Sequence, residues 1–291
     1  MKTIAVLPAG SVSDEAARHL FRGEEIDWKH HRLISDVFLS TVNGISDYSV
    51  IPIENTIEGS VSLHMDWLVH EVDIPIQAEW VYPSIQNLIG RQSELLNDNG
   101  ELDYSRITKV ISHPVAIAQC LQFLRTHLPH AVTEHVSSTA EGVRIVKNNP
   151  NAGLAAIGTM TAAANEKLDV LASEITDHDN NYTRFLLVGS KPYTDRQSDN
   201  IKTSILITLP EDYPGALHQV LSAFAWRKIN LSRIESRPTK KKLGNYYFFI
   251  DIDMALDTVL LPSAIQEIEA IGCQVRVLGS YPSFTEFKKQ Q

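Results

Sequence analysis

Runs of apolar, largely β-branched residues alternate with stretches of helical periodicity over the first two thirds of the chain. Thr3–Leu7 reads as a buried strand, and Ser13 is placed to cap a helix running through Arg22. Tyr48–Ile53 reads as a second strand, followed by a helix near Ser60–His70. Ile107–Ser112 predicts a strand, and Pro114 suits the first position of the helix after it. Val132–Val136 is strand-like, and Ser138-Thr139-Ala140-Glu141 has the spacing of a capping box opening a helix. Leu154–Ile157 predicts a strand, Thr159–Lys167 a helix and Tyr182–Val188 a closing strand. Such alternation implies an α/β architecture with largely parallel sheets.

The polar stretch 190–200, SKPYTDRQSDN, interrupts this pattern and reads as a linker. Beyond it the order is strand 203–209, helix 215–228, strands 229–236 and 246–253, helix 261–271 and strand 274–280. That βαββαβ order is the ferredoxin-like arrangement. The basic run Lys240-Lys241-Lys242, leading into Leu243-Gly244-Asn245, falls where its central hairpin should turn and reads as a solvated loop.

Composition narrows the functional classes. The 291 residues are 43% hydrophobic and 21% charged, an ordinary globular balance. The longest apolar run, Tyr246–Ile250, is far shorter than the ~20 residues a membrane helix needs, so no membrane partner is expected. The opening MKTIAVLPAGSVSDEAA turns acidic too soon for a secretory signal, and the two cysteines, Cys120 and Cys273, make no framework; a reduced cytoplasmic setting is expected. Net charge is −9, and residues 1–199 hold 15 Lys and Arg against 26 Asp and Glu, a net of −11. No basic face is long enough to release counterions from a nucleic acid.

Cofactor signatures are missing: there is no GxGxxG, GxxxxGK[ST], HExxH or GxSxG. The histidine pairs His30-His31 and His127…His130 lack partners at ligand spacing and read as surface residues. Chemistry without metal or cofactor is therefore expected. Polar strand-to-helix junctions are the candidate site: IPIENTIEGSV (51–61), SHPVAIAQC (112–120), SSTAEG (137–142) and AAIGTMT (155–161), with NNYTRFLLV (180–188) entering a strand. In open α/β sheets ligands collect at the carboxyl ends of strands, and helix N-termini there favour anions. Each junction taken alone also reads as an ordinary cap or turn, Glu58 as a first-turn helix charge, and Cys120 as a small buried apolar residue.

IPIENTIEGSV, SHPVAIAQC, STAE, AAIG and NYTRFLLV, in this order, resemble prephenate dehydratase. GALHQVLSAFAWRKINLSRIESRP (215–238) and YYFFIDID (246–253) resemble the ACT regulatory domain of that family, and the likeness spans about residues 3–281. The pattern departs at the first loop, LPAGSVS (7–13), where the family typically has GPxGTFS; Gly10 and Ser13 match, Ser11 keeps a hydroxyl, and Leu7 and Val12 do not fit. Val115 stands where glutamine is common, although Gln119 remains.

The resemblance implies a two-lobed, periplasmic-binding-protein-like catalytic domain over 1–189 (lobes of about 1–76 with 176–189, and 77–175), the linker 190–200 and an ACT domain over 201–281. It implies conversion of prephenate to phenylpyruvate, water and carbon dioxide without a cofactor. Thr183 is its candidate donor to the leaving hydroxyl and Glu54 the alternative acid, with Asn55, Ser112 and Gln119 as further catalytic groups. Ser11, Ser13, Ser138, Thr139, Arg184 and Phe185 are implied to bind substrate; Arg184 alternates with Thr183 along its strand, so it anchors either the sheet or a carboxylate. L-phenylalanine is the implied effector, at Gly215, Ala216, Leu217, Asn230, Glu235 and Ser236, between the copies of a homodimer or homotetramer. An arogenate dehydratase and a non-catalytic amino-acid sensor of the same fold are the alternatives.

Overall fold

The computed structural model describes residues 1–211, 213–240 and 246–284. In chain order it contains β1 (Lys2–Val6), α1 (Val12–Leu20), β2 (Ile26–His30), α2 (Ile34–Val42), β3 (Tyr48–Asn55), β4 (Gly59–Ser60), α3 (Ser62–Asp66), β5 (Ile76–Pro83), β6 (Asn87–Gly90) and α4 (Gln92–Leu95). There follow β7 (Lys109–Ser112), α5 (Pro114–Ala118), α6 (Leu121–His127), β8 (Val132–His135), α7 (Thr139–Asn148), β9 (Leu154–Gly158), α8 (Met160–Glu166), β10 (Asp169–Ala172) and β11 (Tyr182–Val188). The last elements are β12 (Ile201–Thr208), α9 (Ala216–Ala225), β13 (Leu231–Pro238), β14 (Tyr246–Ile252), α10 (Leu260–Ala270) and β15 (Gln274–Phe284). The expected turn at Lys241–Asn245 lies outside the described residues; Lys240 follows β13 with a left-handed φ of 59°.

The chain divides into two compact units, one of residues 1–37, 50–61 and 82–185, the other of 38–49, 62–81 and 186–291. In the first unit, β2, β1 and β3 lie side by side with β1 central and β1 parallel to β2. A separate five-stranded sheet in the same unit has the order β10-β6-β9-β7-β8, and β7 is parallel to both β8 and β9. Each sheet thus repeats one plan, with the first strand of three in the middle, as in doubly wound α/β folds. The α/β class holds, but the sheets are mixed rather than largely parallel, because β6 runs antiparallel to both β9 and β10.

Local chemistry sets the helix starts. The cap of α1 is Ser11, whose Oγ accepts the Asp14 N–H at 3.2 Å, and not Ser13. Gly10, at φ +77°, turns the chain so that Ser11 is the last extended residue, and Ser13 falls in the buried first turn. Gly10 approaches α8 so closely that a Cβ would lie 2.8 Å from Ala162 Cα. The loop is fastened there: Thr159 Oγ1 donates to Gly10 O at 2.7 Å and accepts from Ala162 N at 3.0 Å, capping α8 with the same hydroxyl. Asp14 is fully buried and accepts from Gly10 N at 2.9 Å, Arg18 Nε at 3.1 Å and His30 Nε2 at 3.0 Å. Burial acts to raise its pKa, but hydrogen bonds from His30, Gly10 and Arg18 outweigh this and hold the carboxyl below its ordinary value.

The helix expected near Ser60–His70 is shorter and starts later. Asn55 Oδ1 accepts from Ile57 N and Glu58 N, at 2.9 and 3.0 Å, and this side-chain turn folds β4 back onto β3. Glu58 therefore sits in a turn, and α3 begins only at Ser62 and ends in a π-helical turn, Trp67–Glu71.

In the second unit, β12, α9, β13, β14, α10 and β15 form the expected βαββαβ arrangement, with strand order β13-β14-β12-β15 and antiparallel pairing throughout. Ile205, Ile207, Ile250 and Ile252 pack against Val220, Phe224, Leu261 and Ile268 of the two helices. The opposite face meets residues 62–71. Arg237 holds Asp66 Oδ1 through Nε (3.0 Å) and Nη2 (2.5 Å), and Arg276 Nη2 donates to the carbonyls of Leu68 and Val69 at 3.2 and 3.1 Å. At the end of β15, Ser283 and Phe284 pair parallel with Glu79 and Trp80 of β5, and Lys202 Nζ lies 2.9 Å from the buried Glu79 carboxylate. Among the described residues no helix is long and apolar enough to cross a membrane.

Two outcomes follow for the first unit. Asp14→Asn loses the charge-assisted bonds from Arg18 and should lower unfolding free energy at pH 7 by about 1–3 kcal/mol in urea titration. Because the folded-state pKa of Asp14 is depressed, its contribution is present above about pH 4 and lost as pH falls through the folded value, so the deficit should shrink as the pH is taken progressively below about 4. Gly10→Ala forces a side chain into a left-handed backbone and against α8, and should cost about 1–3 kcal/mol in the same assay.

Candidate active site

Strand β3 ends, and β11 begins, on a cluster of buried neutral polar side chains. The β3 register is fixed by its almost wholly buried residues Tyr48–Ile53, which leaves Asn55 at the carboxyl end. Asn55 Nδ2 donates to Asn181 Oδ1 (2.9 Å), to the Tyr182 carbonyl (3.1 Å) and to Thr183 Oγ1 (3.0 Å). Thr183 Oγ1 also lies 2.7 Å from Ser84 Oγ, where either hydroxyl can donate. Asn181 Nδ2 donates to Gln119 Oε1 (2.9 Å) and to the Ser84 carbonyl (3.1 Å). Asn55, Ser84, Gln119, Asn181 and Thr183 are all less than 9% exposed. A buried network of this kind is stable only when its members are paired, which fixes the amide orientations.

The structure therefore brings Asn55, Thr183 and Gln119 together. Gln119 stands at the C-cap of α5, whose N-cap is His113: its Nδ1 accepts the Val115 N–H at 3.3 Å. Burial, aided by the charge of His135, lowers the His113 pKa. Ser112 is fully buried at the end of β7 and donates to the Ile157 carbonyl at 2.7 Å, joining β7 to β9. Glu54 is half-exposed and pairs with Arg184 at 3.6 Å, while Phe185 is completely buried. Ser84 and Asn181 were not singled out from the sequence. Their partners lie 62 to 126 residues away, and the only local signal is a pair of asparagines before a strand.

A cavity of about 290 Å³ opens between the first loop, the N-terminus of α7 and one side of α8, with Pro8, Ala9, His31, Arg32, Ser138 and Arg144 among its walls. Ser138 caps α7 by accepting the Glu141 N–H at 3.1 Å, and Thr139 is the first residue of that helix. Glu141 accepts from the hydroxyl and N–H of Ser137, not from the N–H of Ser138 as a capping box requires. Those two bonds, with smaller contributions from Arg144 and Arg32, hold its carboxyl below the ordinary value. Ser11 and Ser13 are committed locally to α1. His30, expected at the surface on its own, is tied to Asp14. Both cysteines are buried, and burial, with the nearby Asp177, pushes the Cys120 thiol up to about 12. Among the described residues no group of three His, Cys, Asp or Glu side chains is placed to hold a metal ion.

In the second unit, Gly215 stands at the N-terminus of α9 with φ +96° and no side-chain cap, and nothing lies within 4 Å of where its Cβ would be. Ala216 is buried and Leu217 half-buried on the first turn. Asn230 Nδ2 donates to Asp253 Oδ2 at 2.6 Å, Ser236 is exposed on β13, and Glu235 lies between Arg233 (2.6 Å) and Arg237 (3.7 Å).

The family model for prephenate dehydratase matches residues 4–193, and that for the ACT domain matches residues 203–272. The chain is 40% identical over 260 residues to a prephenate dehydratase of Bacillus subtilis strain 168, covering 87% of this chain and 89% of that protein. It is 39% identical over 283 residues to one of Methanocaldococcus jannaschii, covering 97% and 98% respectively. A solved prephenate dehydratase of Arthrobacter aurescens, in complex with L-Phe, superposes with a TM-score of 0.84 at 31% identity, covering 97% of this chain and 90% of that one. The chain therefore belongs to the prephenate dehydratase family, carbon–oxygen lyases, and carries an ACT domain behind its catalytic region.

Proposed function

We propose that this enzyme converts prephenate to phenylpyruvate for L-phenylalanine biosynthesis, at a site built on Thr183, Asn55 and Gln119, and that L-phenylalanine regulates it through the ACT domain. The ring of prephenate loses a carboxylate as carbon dioxide and the opposite hydroxyl as water, with one proton taken up by the departing oxygen. Aromatisation drives the step. A cation held tightly at the ring carboxylate would stabilise the ground state, because that charge vanishes in the transition state. Neutral donors suit the reacting centre.

The observation that carries this reading is the Thr183 hydroxyl. It accepts from Asn55 Nδ2, and when Ser84 also donates to it, the Thr183 proton remains to be aimed at the leaving oxygen. Threonine is a weak acid, so preorganisation has to supply its effect. Glu54, facing Arg184 at the half-exposed edge, is the alternative donor, and that ion pair favours Arg184 as a sheet anchor. Ser112 supports the site through its backbone tie, while Ser11, Ser13, Ser138, Thr139 and Phe185 shape the surrounding loops and core. The catalytic region is read as two lobes, about 1–76 with 176–189 and 77–175, ahead of the linker 190–200 and the regulatory domain 201–281. The enzyme is read as cytoplasmic and as a homodimer or homotetramer.

For the effector, α9 begins at Gly215 with no side-chain cap, and the missing side chain admits a carboxylate to its first turn, where the Ala216 N–H donates to the Tyr213 carbonyl at 3.0 Å. Asn230, Glu235 and Ser236 supply polar groups for an ammonium. The L-Phe complex of the Arthrobacter aurescens relative supports the choice of ligand.

Purified protein incubated separately with prephenate and arogenate should form phenylpyruvate from the first much faster than phenylalanine from the second; the reverse preference would overturn the substrate assignment. Thr183→Val keeps the shape and removes the donor, and should lower kcat by about 10²–10³ with a much smaller change in KM. Unchanged turnover would transfer the role to Glu54. Calorimetry on the full chain should show saturable L-phenylalanine binding that Gly215→Val abolishes while uninhibited turnover persists. The expected coupling of 1–3 kcal/mol corresponds to about a 5–150-fold change in apparent substrate affinity.

A further inference from the structure

We propose that Asn181 is a positioning residue that sets which end of the Gln119 amide faces the substrate and, through Asn55, the direction of the Thr183 proton. This rests on the reading that Gln119, Asn55 and Thr183 meet the substrate. Asn181 is 5% exposed and lies in the turn before β11, between the end of β3 and the end of α5. One planar carboxamide faces both neighbours. Its Oδ1 accepts from Asn55 Nδ2 at 2.9 Å, and its Nδ2 donates to Gln119 Oε1 at 2.9 Å. The second Nδ2 hydrogen goes to the Ser84 carbonyl at 3.1 Å, and the Asn181 carbonyl accepts from Ser84 N at 2.8 Å, so the side chain cannot turn over without breaking the set.

The consequence for Gln119 is directional. Its Oε1 is taken by Asn181, and its Nε2 has no hydrogen-bond partner among the described residues, although the residue is 7% exposed. The Gln119 amide therefore offers donors and no acceptor. A flip would present an oxygen instead, which cannot donate to the departing oxygen and repels a carboxylate. The same logic runs through Asn55: because Asn181 Oδ1 is an acceptor, Asn55 must turn Nδ2 inward, and that group donates to Thr183 Oγ1. Thr183 is thereby an acceptor toward Asn55, and its own proton points elsewhere.

Asn181→Asp tests this with an isosteric side chain. As a carboxylate it still accepts from Asn55, but it accepts from Gln119 as well, so Gln119 turns Nε2 toward it and Oε1 toward the substrate. As a carboxylic acid it has one proton for the two acceptors Gln119 Oε1 and the Ser84 carbonyl, and by donating to Gln119 it restores the original orientation of that amide. The expected result is a kcat lowered by about 10² at pH 8 with KM changed much less, and a relative activity that climbs as pH falls through the new carboxyl group. Asn181→Ala in a Gln119→Ala background should cost clearly less than in the parent, since most of its effect passes through Gln119. An Asn181→Asp enzyme with a parental pH profile, or full additivity of the two alanine variants, would overturn the proposal. Should Asn181→Ala fail to fold, the pH profile of the aspartate variant decides alone. Gln119→Ala and Asn55→Ala enzymes with parental kcat and KM would instead refute the site assignment, an outcome separate from failure of the Asn181 role.

Discussion

The Asn55 carboxamide has two hydrogens and one oxygen, and all are committed: three acceptors crowd the nitrogen and two backbone N–H groups hold the oxygen. Around this one buried amide the strand end, the following turn and the start of β11 are mutually fixed. Three acceptors for two hydrogens means that one N–H is shared. Thr56 closes the circuit from the other side, donating through Oγ1 to the Asn180 carbonyl and accepting from Tyr182 N. The five side chains of the cluster carry no formal charge, so its dipoles are held in place by hydrogen bonds alone.

The first loop is anchored by different means. Asp14 is a buried anion surrounded by Gly10, Arg18 and His30, and Thr159 ties the same glycine to α8. The loop whose spelling departs from the family pattern is thus rigidly placed by residues outside it. Leu7 and Val12 change its surface, while Gly10, which must approach α8 within the radius of a methyl group, is kept.

Much of this architecture was legible in the chain because the strongest signals are local. The runs around Ile4, Val50 and Leu186 are apolar and β-branched or leucine-rich, and those three residues are fully buried in strands. The βαββαβ order was legible because its strands and helices switch period cleanly. Strand β2, Ile26–His30, was invisible for the opposite reason: each of its residues is only half-buried or exposed, so its sequence carries neither alternation nor an apolar run. The antiparallel direction of β6 could not be read, since pairing direction depends on connection path and not on composition. Ser11 and Ser13 offer the same hydroxyl two residues apart, and only the left-handed turn at Gly10 decides between them. Asn181 and Ser84 escaped notice because a buried amide and a loop amide look identical until the partners 62 to 126 residues away are in place.

The clasp of Arg237 on Asp66, and of Arg276 on the carbonyls of Leu68 and Val69, has an evolutionary consequence. The stretch 62–71 leaves Asn55 along the chain, yet it folds with the C-terminal sheet as part of one compact unit. A gene lineage cannot discard such a C-terminal segment as it would a detachable module, because the loss would unroof residues that belong to the other end of the polypeptide. Change in this part of the molecule is thus channelled into single-residue substitutions on the C-terminal sheet, and loss of the whole segment is closed off as a route.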